Sequence, residues 1–496
     1  MTVLDALHSV APLVAVEAAA GCGKTWTAAR FARECAERMT AGRVLLLSHT
    51  HAACGEFQRR CGLPGLRVTV ETCDSFALKV IQNYARPLCL PIPLAAHVGR
   101  ADGGVSFRHL SEKAVELFEA SPSIARSIGA TYPTIVLDEH QDSSAEQHRM
   151  VMLLKEIAGC RVRAFGDPMQ AISPDKDDEL VDWDSVFASA DKRERLLDPK
   201  RWESAPNLGK WIVGARETLK SGNPLSLLDA PPEVSISRQS NLCGRHKFID
   251  QKGAAKQLGS FIESSGKNSA ALAFLGPMVK SLAQVSAWRL KVNEGATLEH
   301  LDGLIDAAQH PDRNGATLST KLLAFFQSIG AGISDKLRAG LEARLLESIQ
   351  ADNAGSIQKA WLDIFESVYL EPDHRGLAKA MTMLRDRPPK GYTLRLHDHA
   401  WALRSLADAT DPRSRLSALS RLRRRRRPAD LVASTIHKAK GLEFQNVLVC
   451  PVDHHQYPPG RVGARLLYVA ISRSTRALTL VLSTDNTSEH IDTRTE

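Results

Sequence analysis

Short apolar runs alternate with amphipathic stretches through the first third of the chain. Leu13 to Val16, Val44 to Leu47, Val68 to Val70, Ile135 to Leu137 and Val162 to Phe165 have the length and content of buried strands. The stretches between them have helical periodicity. From Thr25 onward, Ala28, Phe31, Ala32, Cys35 and Met39 recur at three- and four-residue spacing and define one apolar face. Strands followed by such helices predict a parallel sheet covered on both faces. The same style returns in Val432 to Ile436, Val447 to Val449 and Leu478 to Leu482. Between the two regions, from about 276 to 427, the pattern is almost wholly helical, with turn signals at Asn314-Gly315 and Pro388-Pro389. A shorter interruption at 81–125 opens with Pro87, Pro91, Pro93, Gly103 and Gly104. No internal repeat of fixed period is present.

The expected fold class is therefore α/β, with two parallel-sheet domains, one small insertion and one larger, mainly helical insertion. The first sheet domain is assigned to 1–80 and 126–195, with the small insertion at 81–125. The second is assigned to 196–275 and 428–496, with the helical insertion at 276–427. A length of 496 residues agrees, because it exceeds what one hydrophobic core serves. The 64 Lys plus Arg against 56 Asp plus Glu leave a formal charge of +8, which fits a polyanionic partner without demanding one. Nine cysteines without a CxxC pair predict small core residues in a reducing compartment and argue against a zinc or disulfide framework. No run approaches the roughly 18 apolar residues of a membrane span, and the N-terminus has no basic start or cleavage site. A cytoplasmic protein with no membrane partner is expected.

Candidate chemistry begins at Ala18-Ala19-Ala20-Gly21-Cys22-Gly23-Lys24-Thr25, after a predicted strand and at the start of a helix. That is where a phosphate-binding loop belongs, although the first glycine of GxxxxGK[ST] is Ala18 here. Ala20, Gly21, Cys22 and Gly23 would supply backbone amides, Lys24 would reach the terminal phosphates, and the Thr25 hydroxyl would ligate Mg²⁺. A second apolar strand ends in Asp138-Glu139-His140-Gln141-Asp142. A carboxylate at a strand end holds a metal and its neighbour activates water, which assigns Asp138 to Mg²⁺ and Glu139 to the general base.

With further segments added, the chain resembles a superfamily 1A DNA helicase of the UvrD-like type, with motifs in family order. Ser48 to Ala53 resembles motif Ia, Glu71 to Phe76 motif Ic, DEHQD at 138–142 motif II, Gly166 to Ile172 motif III and Lys200-Arg201-Trp202 motif IV. Thr435 to Phe444 closely matches motif V, and Leu466 to Arg473 resembles motif VI. The resemblance implies two RecA-like domains with ATP between them, and movement of that cleft coupled to stepping along single-stranded or partly duplex DNA. By the same resemblance, Arg201 and Arg473 are γ-phosphate arginines and Gln170 a γ-phosphate sensor. Glu443 lies near the ribose, and Thr50, His51, Thr72, Thr435 and His437 contact DNA. The run Arg421, Arg423 to Arg427 precedes motif V and is either a solvated helix end or a contact for nucleic acid or an acidic partner.

The departures from the family are specific. Residues 1–17 contain no glutamine to read adenine, and Lys200 replaces the adenine-stacking tyrosine of motif IV. After Gln170, Ser173-Pro174-Asp175-Lys176 replaces the family's Tyr and Trp-Arg-Gly-Ala, so Trp183 or Trp202 would have to stand in for the DNA-stacking tryptophan. The compact build resembles the helicase-like subunit of the Gabija antiphage system, which implies an OLD-family nuclease as partner. Two readings stay open: an ATP-dependent DNA translocase or helicase acting in repair or antiphage defence, and a nucleotide-sensing subunit that controls a partner nuclease without processive unwinding.

Overall fold

The computed structural model describes residues 2–492 apart from 62–64, 93, 95–104, 173–179, 241, 243, 246, 267, 288, 293–303, 305, 306, 309–315, 348–355 and 395–429. The arginine run at 421–427, the segment Ser173 to Lys176, the turn Asn314-Gly315 and Cys243 lie outside the described residues. The chain divides into two compact units, Met1–Val292 with Asp430–Glu496, and Asn293–Ala429.

The first unit holds two six-stranded sheets. In the first, β1 (Leu13–Ala18), β2 (Val44–Ser48), β3 (Val68–Thr72), β4 (Thr134–Leu137), β5 (Arg161–Gly166) and β6 (Lys192–Leu196) run parallel in the order β3-β2-β4-β5-β1-β6. Every residue of β1 is buried, and alternate side chains feed opposite cores. Leu13 and Ala15 pack on one face, Val14 and Val16 on the other, as a doubly covered parallel sheet requires. The apolar runs at β1 to β5 thus became strands. β6, with the sequence KRERL, gave no apolar signal because it is a half-exposed edge strand.

The described residues of 81–125 do not form a core of their own. Leu90, Leu94, Val105, Leu110, Leu117 and Phe118 join the same core as Leu45, Leu47 and Ile135. Helix Phe107–Ala120 and helix Pro122–Thr131, the latter crossing the expected boundary, pack on helix Ala145–Ala158 and cover one face of the sheet.

The second sheet takes β7 (Val234–Gln239), β8 (Ser269–Ala273) and β9 (Lys291–Val292) from before the second unit. In that unit, the two-residue strands β10 (Gly330–Ala331) and β11 (Thr393–Leu394) pair with each other. The chain then returns with β12 (Leu431–Thr435), β13 (Phe444–Val452) and β14 (Ser474–Ser483), giving the parallel order β7-β14-β13-β8-β12-β9. Residues 276–292 were expected in the helical insertion. Helix Gly276–Val285 and β9 instead pack on β12 and β8, because Met278, Val279, Leu282 and Leu290 complete the second sheet's core. Ile436, expected in a strand, starts a short helix capped by Thr435.

Apart from β10 and β11, the second unit's described elements are helical, with helices Ala316–Ile329, Asp335–Glu347, Ser356–Leu370 and His374–Asp386. Phe326, Trp361, Phe365 and Tyr392 form its aromatic centre, and Tyr392 Oη donates to the Phe326 carbonyl at 2.7 Å. The eight described cysteines are unpaired, and all but Cys89 are buried. No helix among the described residues is long and apolar enough to cross a membrane.

Candidate nucleotide cleft

The chemistry collects at the carboxyl ends of β1, β4 and β5, where ligands bind in open parallel sheets. The loop after β1 turns through Gly21 and Gly23, with φ of +69° and +84°, conformations that favour glycine. Gly21 is also pressed against another segment: a Cβ there would lie 2.7 Å from both Arg201 Cβ and the Trp202 ring. Its carbonyl accepts from the Lys200 and Arg201 amides at 3.0 and 2.9 Å. The Ala20 amide donates to Tyr468 Oη at 2.7 Å. Motif IV and motif VI side chains therefore shape the phosphate loop directly. Burial, with Asp167 next, pushes the Cys22 thiol up to about 12, so it stays protonated and inert.

Lys24 opens helix Lys24–Glu37, is buried, and sits 2.5 Å from Glu139 in an ion pair without hydrogen-bond alignment. Burial opposes its charge, but Glu139 and Asp138 outweigh burial and raise its pKa. Thr25 follows on the same turn. Asp138 leaves β4 almost fully buried with Oδ1 unpartnered. Burial and then Glu139 raise its carboxyl, whereas Lys24 and Lys440 overcome burial and hold Glu139 low. Glu139 is also held at φ +52°, a left-handed conformation uncommon outside glycine. Its neighbour His140 faces away from the cleft, with Nδ1 at 2.8 Å from Ser143 Oγ and Nε2 at 2.9 Å from His148 Nδ1.

The second sheet's motifs supply the cations. Arg473 is 1% exposed, and among the described residues its hydrogen bonds go to neutral oxygens of Val469, Leu442, Ser472 and Gln170, the last at 3.4 Å. Burial and the adjacent Arg201 push it down to about 10, so it remains a cation near neutral pH. Arg201 donates to the Ser472 carbonyl at 2.8 Å and pairs with Glu443 at 2.7 Å, while its Nε is buried and unpartnered. The two arginines and Gln170 thus lie together at the cleft. Glu443 pairs with an arginine in this arrangement.

Several cleft residues had not been singled out. Lys440 donates to Asp142 Oδ1 and Oδ2 at 2.6 and 2.7 Å and to the Gln170 carbonyl at 2.5 Å. Lys440 and Asp142 both lie inside matched strings and were legible there. Arg216 is fully buried, with Nη2 at 2.8 Å from both Asp167 Oδ1 and Glu17 Oε1. Its signal was a charge in an apolar register: Leu208, Ile212, Arg216 and Leu219 share the buried face of helix Pro206–Lys220.

The expected DNA residues lie at other strand ends. Thr50, after β2, accepts from the Ala53 amide at 3.1 Å, and Thr72, ending β3, accepts from the Ser75 amide at 3.1 Å. Thr435, ending β12, accepts from the Lys438 amide at 3.4 Å. His51 begins helix His51–Cys61, and the His437 ring lies 5.6 Å from that of Phe274. Neither tryptophan offered as a base-stacking substitute is available. Trp202 is fully buried with Nε1 donating to the Ser474 carbonyl at 2.7 Å, and Trp183 is buried against Gly166.

A family model described as an AAA domain matches residues 4–175, and one described as the UvrD-like helicase C-terminal domain matches residues 430–481. Together they indicate a UvrD-like superfamily 1 helicase. No curated protein matches the chain. The first match contains the phosphate loop, Asp138, Glu139 and Gln170, and the second contains Lys440, Glu443, Tyr468 and Arg473. Arg201 and Arg216 fall between them. The two RecA-like sheets agree with that family's fold, and the domains imply nucleotide binding with a divalent metal, ATP-dependent helicase activity and a DNA substrate.

Proposed function

We propose that the chain hydrolyses ATP with Mg²⁺ in the cleft between its sheets and uses the cycle to move on single-stranded DNA. The observation that carries this reading is Arg473, a buried cation beside Gln170 and Arg201 with no carboxylate hydrogen-bonded to it among the described residues. A charge so placed is costly unless an anion completes it. The donor set also fits the metal, because Asp138 Oδ1 is buried and unsatisfied next to the phosphate loop and Thr25 lies on the adjoining turn. Bound Mg²⁺ would neutralise charge on the phosphate oxygens.

The roles of the residues follow from their surroundings. Amides of Gly21 and Gly23 receive the phosphates, those of Ala20 and Cys22 being engaged by Tyr468 Oη and the Ala19 carbonyl, and Lys24 moves from Glu139 to them. Freed of Lys24, the Glu139 carboxylate accepts a proton as water attacks the γ-phosphorus and the bond to the β-γ bridging oxygen breaks, leaving ADP and phosphate. Gln170, Arg201 and Arg473 stabilise the developing charge from both sheets. Glu443 would take the ribose side. The helix starts at Thr50, His51, Thr72, Thr435 and His437 would meet DNA phosphates, which gives sequence-tolerant, salt-sensitive binding.

Burial of Trp183 and Trp202 favours a second reading, in which the cleft senses nucleotide and controls a partner nuclease without processive unwinding. An OLD-family nuclease is the partner class that reading calls for, with antiphage defence in the cytoplasm as its setting. Steady-state ATP hydrolysis with and without single-stranded DNA, with Glu139→Gln as blank, separates the two. DNA stimulation that vanishes in the variant supports the motor. Hydrolysis indifferent to DNA, or absent until a nuclease is added, supports the sensor.

A further inference from the structure

Arg216 has no part in the roles above, yet it touches the residues that have them. It projects from helix Pro206–Lys220, which packs on helix Arg461–Ile471 and on β14, and so travels with the second sheet. Its Nε and Nη2 both donate to Asp167 Oδ1, at 3.0 and 2.8 Å, on a carboxylate that is itself fully buried. Asp167 Oδ2 accepts from Gln170 Nε2 at 2.8 Å. The Asp167 amide donates to Gln141 Oε1 at 3.0 Å, and Gln141 Nε2 donates to Glu139 Oε2 at 2.7 Å. Asp167 therefore holds the glutamine that faces Arg473 through its carboxylate, and the glutamine that holds Glu139 through its main-chain amide. That carboxylate is held between the Met169 amide of its own segment and an arginine that travels with the other sheet.

We propose that Arg216 is a positioning residue for hydrolysis, which through Asp167 holds Gln170 and Gln141 in register with the second sheet. A movement of the helix then reaches the hydrolytic residues without any contact to nucleotide. The planar guanidinium is required because two of its nitrogens engage one carboxylate oxygen, a fork that a lysine ammonium does not reproduce. Lys220 supplies an internal control. It lies on the same helix and pairs at 2.6 Å with Glu17, the other carboxylate of this network.

The inference rests on the ATP-hydrolysis reading, and the experiment keeps the two apart. ATP turnover is measured on the full chain for wild type, Arg216→Lys, Lys220→Met, Gln170→Ala and the Arg216→Lys/Gln170→Ala double variant, with melting temperatures alongside. Arg216→Lys should lower kcat by about 10- to 100-fold with the KM for ATP within about 3-fold, the size expected of a misplaced catalytic group. Lys220→Met should lose less than about 3-fold in kcat, and the double variant should lose less than the product of the single losses. Arg216→Lys at wild-type kcat, losses equal to those of Lys220→Met, or fully multiplicative losses with Gln170→Ala would each overturn the proposal. If Arg216→Lys does not fold, Arg216→Met/Asp167→Asn removes both charges together, and wild-type kcat in that pair overturns it equally. A wild-type chain without turnover sinks the hydrolysis reading, and this inference with it.

Discussion

At the ends of β1, β4 and β5 charged side chains converge on a cleft, and buried atoms of Asp138 and Arg201 there have no hydrogen-bond partner among the described residues. At the ends of β2, β3 and β12 the hydroxyls of Thr50, Thr72 and Thr435 are each engaged with the first turn of a helix. The first region is left incomplete by its own fold, so a ligand of defined charge and shape finishes it. The second is complete, and offers a ligand helix starts and backbone amides. Such groups read a phosphate backbone without reading bases. The two kinds of strand end are neighbours on the first sheet, and β12 repeats the second kind on the other sheet.

The contrast is broken most sharply at Arg473. Arg473→Met should lower kcat by about 10³-fold or more, as loss of an arginine at the γ-phosphate does. The same variant should melt no lower than wild type, because a buried cation with no carboxylate hydrogen-bonded to it among the described residues is replaced by an apolar chain of similar length. Turnover assays and a thermal melt decide it; a fall in both would make Arg473 a structural residue. Gly21→Ala comes next. The added methyl meets Arg201 and Trp202 at 2.7 Å in a left-handed backbone. Nucleotide affinity by fluorescent-analogue titration should drop about 10-fold, since about 1–2 kcal/mol of strain falls on the phosphate loop. At the other region the signs reverse. Thr72→Val should cost about 1 kcal/mol of stability through the lost cap and weaken single-stranded DNA binding modestly, while Thr72→Ser restores both.

Much of the cleft was legible because its residues stand in contiguous strings: a glycine-rich turn, a strand ending in acids, long matches at motifs V and VI. Contacts made across the fold left weaker marks. Arg216 reads as one charge on an amphipathic helix, and only packing shows it between Asp167 and Glu17. β8, with the sequence SAALA, has little strand propensity and is fixed by its place between β12 and β13. Burial was equally illegible for Trp183 and Trp202, the two residues that would have had to stand in for the stacking tryptophan. Gly166 and Gly21 leave the space those rings fill, so the tryptophans are part of the wall behind the cleft.

That wall also gives the smallest effect. Burial would raise the Glu17 carboxyl, but Lys220 and Arg216 more than offset it, and its pKa in the folded chain lies below the ordinary value of 4.5. A depressed carboxylate contributes stability above its unfolded pKa and loses it as pH falls through the folded value. Wild type should therefore melt progressively lower as pH drops below about 4.5. Glu17→Gln should start from a lower melting temperature at neutral pH, because Lys220 and Arg216 lose a counter-charge, and should show a shallower acid slope. Parallel curves for the two proteins would mean that Glu17 gains nothing from its cations, and that Asp167 alone anchors Arg216 behind the cleft.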